Sequence, residues 1–166
     1  MRMEQNQSTV RWPAVLAAHN ETVAVAESCT GGLLAARWTD TAGASAYFIG
    51  GAVTYSDAAK QRVLGVPAEM LARYSAVSEQ VARAMVEGVL RLYGATWGMA
   101  TTGFAGPGGG TAEDPVGTVY IATGRAGRIE VNRYVFAGGR TEVRRQATDA
   151  AWEQLRRQWM SQGGQS

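Results

Sequence analysis

Thr22-Val23-Ala24-Val25-Ala26 runs without a break through Glu27-Ser28-Cys29-Thr30 into the pair Gly31-Gly32. No other segment constrains the fold as much. A short run of small and β-branched residues with no polar alternation reads as a strand buried on both faces. The glycine pair then opens a helix that reaches about Thr39. Ala46 to Tyr55 reads as a second strand, with Gly50-Gly51 as the site of a bulge. Ser56 or Asp57 caps a short helix carrying Ala59, Lys60 and Val63. Pro67 begins another short helical piece. Ser78 caps a longer helix with Val81, Met85, Val89 and Leu92 on its apolar stripe and Gly94 as its stop.

Trp97 to Thr102 is a third strand, and Gly103 to Pro115 a glycine-rich loop. Val116 to Thr123 and Ile129 to Phe136 pair as a hairpin around Gly124 to Gly127. Thr141 to about Met160 forms a closing helix, with Val143, Ala147, Ala151, Leu155 and Trp159 on one face. A short helix before the first strand presents Val10, Ala14, Val15 and Ala18. Helices alternate with strands early and a hairpin comes late. The prediction is a single-domain, three-layer α/β/α sandwich with a mixed β-sheet. Its core spans about residues 9–160, with polar tails at 1–7 and 161–166.

The chain has 166 residues, enough to bury one full-sized core. Hydrophobic content of 46% and charged content of 18% exclude disorder as the main state. A net charge of +2 is too small to imply a nucleic-acid surface. Cys29 is the sole cysteine, so no internal disulfide forms and a reducing, cytoplasmic setting is expected. No segment reaches the roughly 18 apolar residues that span a bilayer, and residues 1–7 lack an apolar signal core. With one histidine and one cysteine, no zinc-type site and no cofactor are expected.

Three places carry chemistry. The first is Ser28, between a strand and a glycine-opened helix. The N–H groups of Thr30, Gly31 and Gly32 are expected free there, to stabilise an oxyanion or hold a phosphate. A capping role for Ser28 or Thr30 is the structural alternative. Cys29 is a rival nucleophile, but His19 lies far off in sequence, and Cys29 reads better as a small buried hydrophobe.

The second place is Tyr55 with Lys60. Of the 16 Lys and Arg residues, Lys60 alone is lysine. An arginine cannot act as a base, because it never loses its proton in a protein. A lysine can, if burial and the first turn of a helix lower its pKa. Tyr55 is expected to relay the proton or to serve as the base itself. The third place is the loop Thr101-Thr102-Gly103-Phe104-Ala105-Gly106-Pro107-Gly108-Gly109-Gly110, an anion-binding concavity by composition. It matches neither the P-loop nor the dinucleotide fingerprint. The strand ends at Ser28, Tyr55 and Gly103 would meet along one sheet edge, where open α/β folds bind ligands.

Five motifs stand in register: Ala26-Glu27-Ser28-Cys29-Thr30-Gly31-Gly32, Val53-Thr54-Tyr55-Ser56 with Lys60, Ala76-Val77-Ser78-Glu79, Thr102 to Gly109, and Pro115-Val116-Gly117-Thr118-Val119. Together they resemble the C-terminal domain of the CinA family. The resemblance covers roughly Thr22 to Ala150. It implies an amidohydrolase that deamidates nicotinamide mononucleotide to nicotinic acid mononucleotide and ammonia, in pyridine nucleotide salvage. It maps the catalytic serine, tyrosine and lysine onto Ser28, Tyr55 and Lys60. It further implies a mononucleotide held by the Ser28 turn and the glycine loop, at Thr30, Gly31, Gly32, Thr102, Gly103, Gly106, Gly108 and Gly109, and Arg140 is a further candidate to bind it. Larger members carry an N-terminal domain similar to molybdopterin-binding proteins, and this chain looks like the short form.

Two positions depart from the family pattern. Tyr74-Ser75 stands where His-Gly is common, and Gly138-Gly139-Arg140 where Gly-Asp-Arg is common. Arg140 and Arg144 either cap the sheet edge or meet an anion. A homodimer or higher homo-oligomer is expected, with Trp152 or Trp159 as the apolar residues offered to a partner. Alternative readings are a non-catalytic nucleotide-binding module linked to competence or DNA-damage partners, and a hydrolase of another amide.

Overall fold

Both faces of the first strand are buried, and the rest of the architecture follows from that. The structure is a computed structural model that describes residues 12–162. The expected N-terminal tail and Val10 lie outside the described residues. In chain order the elements are α1 (12–18), β1 (Val23–Glu27), α2 (Leu33–Thr39), β2 (Phe48–Val53), α3 (Asp57–Leu64), α4 (Ala68–Tyr74), α5 (Glu79–Tyr93), β3 (Trp97–Gly103), β4 (Thr118–Arg125), β5 (Arg128–Val135) and α6 (Arg140–Gln162).

The sheet order is β2-β1-β3-β4-β5. β1 runs parallel to both β2 and β3, while β4 and β5 add antiparallel. The mixed sheet and its two helical layers are those expected from the sequence. Successive β1 side chains point to opposite faces. Val23 and Val25 enter one core with Trp12, Leu16, Leu34, Trp38, Val143 and Leu155. Ala24 and Ala26 enter another with Leu64, Leu71, Val81, Met85 and Val89. Each large side chain so buried stabilises the fold by about 1.5–3 kcal/mol. Glycine at position 88 lets α5 approach α3: a Cβ there would lie 2.2 Å from the Leu64 carbonyl oxygen.

Several local expectations need correction. In α1 the inward residues are Trp12 and Leu16, while Ala14 and Ala18 are exposed. Leu92 is 49% exposed, and Leu90 packs inward in its place. The bulge in β2 falls at Ile49 rather than at the glycine pair, because Val23 pairs with Phe48 and Ala24 with Gly50. Trp152 and Trp159 are buried, packed edge-on and tilted against Trp12. Neither is available to a homodimer.

Two buried glutamines fix where α6 sits on the hairpin. Gln154 Nε2 donates to Ile121 O at 3.1 Å, and Tyr134 donates to Gln154 Oε1 at 3.0 Å. Thr123 Oγ1 donates to Gln158 Oε1 at 2.7 Å. Buried amides left unpaired would cost about 1–3 kcal/mol each, so a slipped register is disfavoured. In this register the first turns of α6 bring Arg140 and Arg144 to the ends of β1 and β3.

Candidate active site

The C-terminal ends of β1, β2 and β3 meet around a cavity of about 250 Å³. Ser28 follows β1 directly, and its N–H donates to Thr101 O at 3.0 Å. Lys60 comes from α3. Ser56 caps that helix, accepting from the Ala59 N–H at 3.1 Å, so Lys60 sits in its first turns. The Lys60 side chain is 1% exposed. Its Nζ lies 2.9 Å from Ser28 Oγ and donates to Thr54 O at 2.7 Å. Burial pulls the Lys60 pKa below its ordinary 10.5, against weaker opposing pulls from Asp57 and Cys29. The arrangement is an amine, shifted toward its neutral form, within proton-transfer reach of a hydroxyl.

Glu27 determines which backbone amides remain for a ligand. Its Oε1 accepts from Thr30 Oγ1 at 2.6 Å, Gly32 N at 3.2 Å and Leu34 N at 2.8 Å. Its Oε2 accepts from Ala35 N at 3.0 Å. The Gly31 N–H donates to Ser28 O at 3.1 Å. The expectation that Gly31 and Gly32 present free amides is therefore overturned, because the buried carboxylate and the turn itself consume them. The Cys29 and Thr30 N–H groups have no acceptor among the described residues. Arg144 closes the turn from the other side, donating from Nε to Cys29 O and from Nη2 to Thr30 O, both at 3.1 Å.

Tyr55 stands at the mouth of the cavity, 59% exposed. Its hydroxyl accepts from Arg140 Nη2 at 2.7 Å. Arg140 Nη1 donates to Gly106 O at 2.9 Å, so one guanidinium joins the β2 end to the glycine loop. Thr102, Gly103, Gly106, Gly108 and Arg140 line the cavity with Ser28, Tyr55 and Lys60. Thr30, Gly31, Gly32 and Gly109 do not. Thr30 turns its hydroxyl inward to Glu27 and Thr101. Gly103 has a packing role as well, since a Cβ there would lie 2.5 Å from Thr118 O. Cys29 lines the cavity but is buried, and burial pushes its thiol up to about 12, which leaves it a poor nucleophile.

Sequence reasoning missed Glu27, the Thr54 carbonyl, and Ala76 and Val77 on the cavity wall. Glu27 did carry a signal: an acidic residue ending a buried strand, just before a helix whose N-terminal amides need acceptors. Among the described residues no three His, Cys, Asp or Glu gather as metal ligands, and no helix is long and apolar enough to cross a membrane.

The CinA C-terminal domain profile matches residues 6–159. The chain belongs to the CinA family. A CinA-like protein of Mycobacterium sp. (strain MCS) is 54% identical over 145 residues, covering 87% of this chain and 34% of the relative. The chain thus spans about a third of the length of the curated relatives it matches. A crystal structure of the competence damage-inducible protein A (ComA) from Klebsiella pneumoniae subsp. pneumoniae MGH 78578 is 40% identical with a TM-score of 0.89, covering 94% of this chain and 97% of that one. The competence/damage inducible protein CihA from Agrobacterium tumefaciens is 41% identical with a TM-score of 0.86, covering 90% and 92%. The CinA assignment fits the five motifs, four of which contribute residues to the cavity or its walls.

Proposed function

We propose that this CinA domain is a serine amidohydrolase that releases ammonia from nicotinamide mononucleotide. The observation that carries this reading is Lys60 Nζ, buried, 2.9 Å from Ser28 Oγ inside the cavity. Neutral Lys60 takes the hydroxyl proton as Ser28 Oγ attacks the carboxamide carbon. The Thr54 carbonyl holds the amine in place through the transfer. The Cys29 N–H, on the cavity wall, receives the oxyanion, a good donor contributing roughly 3 kcal/mol to the transition state. Protonated Lys60 then delivers its proton to the departing nitrogen, and ammonia leaves. Water, activated by the same amine, resolves the acyl-enzyme to the free acid and restores Ser28.

Arg140 places a positive charge at the cavity mouth, suited to the substrate phosphate. The nicotinamide half would enter between Val77 and Phe104. The test is ammonia release from nicotinamide mononucleotide by the purified protein beside Ser28→Ala. Release by the native protein alone supports the reading. No release by the native protein defeats it.

A further inference from the structure

Among the described residues, Glu27 is the one carboxylate that is both 1% exposed and bonded to four donors. Three of these are the Gly32, Leu34 and Ala35 N–H groups at the start of α2, and the fourth is the Thr30 hydroxyl. Its main chain has a second role. Glu27 O accepts from Thr54 N at 2.7 Å, and Thr54 O in turn accepts from Lys60 Nζ. Glu27 thus touches both supports of the Ser28–Lys60 pair. The side chain anchors the turn that carries Ser28, and the backbone anchors the strand end that holds Lys60.

We infer that Glu27 is a positioning residue that sets the reach of Lys60 to Ser28 and leaves the Cys29 N–H on the cavity wall for the oxyanion. This rests on the reading of Ser28 as nucleophile. An ordinary cap would satisfy one or two amides from the solvent side. Glu27 instead gathers three amides and a hydroxyl onto a buried carboxylate that does not line the cavity. The turn is then held by a carboxylate beneath it and by Arg144 across it, with two N–H groups left over. Misplacing a catalytic pair by about 1 Å can cost on the order of 10²-fold in rate. A support of this kind therefore shows in turnover rather than in substrate binding.

The test variant is Glu27→Gln, which keeps the shape but turns one acceptor into a donor facing an N–H. Its folded fraction and melting point are measured first. Two rates follow: labelling of Ser28 by a fluorophosphonate probe, read by intact mass, and ammonia release. The expected result is labelling slowed at least about tenfold per folded molecule, with kcat reduced in parallel and KM unchanged. Should Glu27→Gln fail to fold, Thr30→Val removes one of the four donors and is expected to slow labelling about threefold or more. The inference is overturned if labelling per folded molecule stays within twofold of native, if KM rises while kcat holds, or if native Ser28 does not label. Labelling by the native protein without ammonia release would sink the mononucleotide reading alone, and the labelling comparison would still decide the role of Glu27.

Discussion

The Tyr55 hydroxyl accepts a hydrogen bond from Arg140 at 2.7 Å, and neither Lys60 nor Ser28 bonds to it. On the proposed function, a phenol held this way at the cavity mouth braces the ligand's entrance and leaves the serine proton to Lys60. Tyr55→Phe is therefore expected to lower kcat/KM about tenfold or less, mainly through KM. Steady-state kinetics check this. A loss of about 10³-fold in kcat would return the base role to Tyr55.

Lys60→Arg keeps a positive charge but cannot surrender a proton. It is expected to abolish turnover, at least about 10³-fold in kcat, whatever its effect on folding. In the native protein the rate should climb with pH as Lys60 becomes neutral and level off below 10.5, because burial lowers its pKa from that value. A rate flat across this range, or falling with pH, contradicts a lysine base.

The same burial shapes stability. An unfolded chain keeps the Lys60 proton up to about 10.5, and the folded chain gives it up earlier. Between those two points the folded state binds fewer protons, so stability rises with pH across the interval. Below the folded pKa, the full cost of burying the ammonium is present. Urea midpoints at several pH values should show this rise in the native protein and a flatter profile in Lys60→Met.

Ser75 lies at φ 64, ψ 164, a region that is essentially restricted to glycine. It follows α4 and precedes Ala76 and Val77 on the cavity wall. Holding it there costs about 1–3 kcal/mol. Part of the cost is offset by its hydroxyl, which accepts from the Val77 N–H at 3.3 Å. Glycine would also gain freedom in the unfolded chain. Ser75→Gly is expected to stabilise by about 1 kcal/mol net, raising the melting point by about 2–4 °C in calorimetry.

Most of the fold was legible because it rests on local signals. The apolar run of β1, the Ser56 and Ser78 caps and the glycine stops at the helix ends are each written in a few adjacent residues. What misled was rotation within an element. Ala14 and Leu92 have the right polarity and sit on the wrong side, since an alanine is as content in solvent as in a core. The pairing of Ser28 with Lys60 was expected from residue type, while their separation, set by Thr54, was not. The glycine loop reads from composition as a cradle, yet Gly103 serves packing as much as access. The fate of the amides at Gly31 and Gly32 could not be judged from sequence, because Gly31 donates to Ser28 O within the turn and the carboxylate that takes Gly32 lies five residues before it.

Gly88→Ala tests the contact between α5 and α3. A methyl group 2.2 Å from Leu64 O forces the helices apart at a cost of about 2–3 kcal/mol. Leu64 ends the helix that carries Lys60, so turnover should fall further than the folded fraction. Equal losses in the two would mean that α3 moves as a rigid unit with Ser28.

The sheet divides the apolar interior into two compartments, and the reactive pair straddles the partition. Arg144, which steadies the serine turn, belongs to the tryptophan-rich side. Lys60 is delivered by a helix from the aliphatic side. Neither compartment holds a complete site. On the proposed function, loosening either one would disarm the molecule even while the other remains packed, so activity would report the simultaneous integrity of two interiors that otherwise share nothing but a sheet.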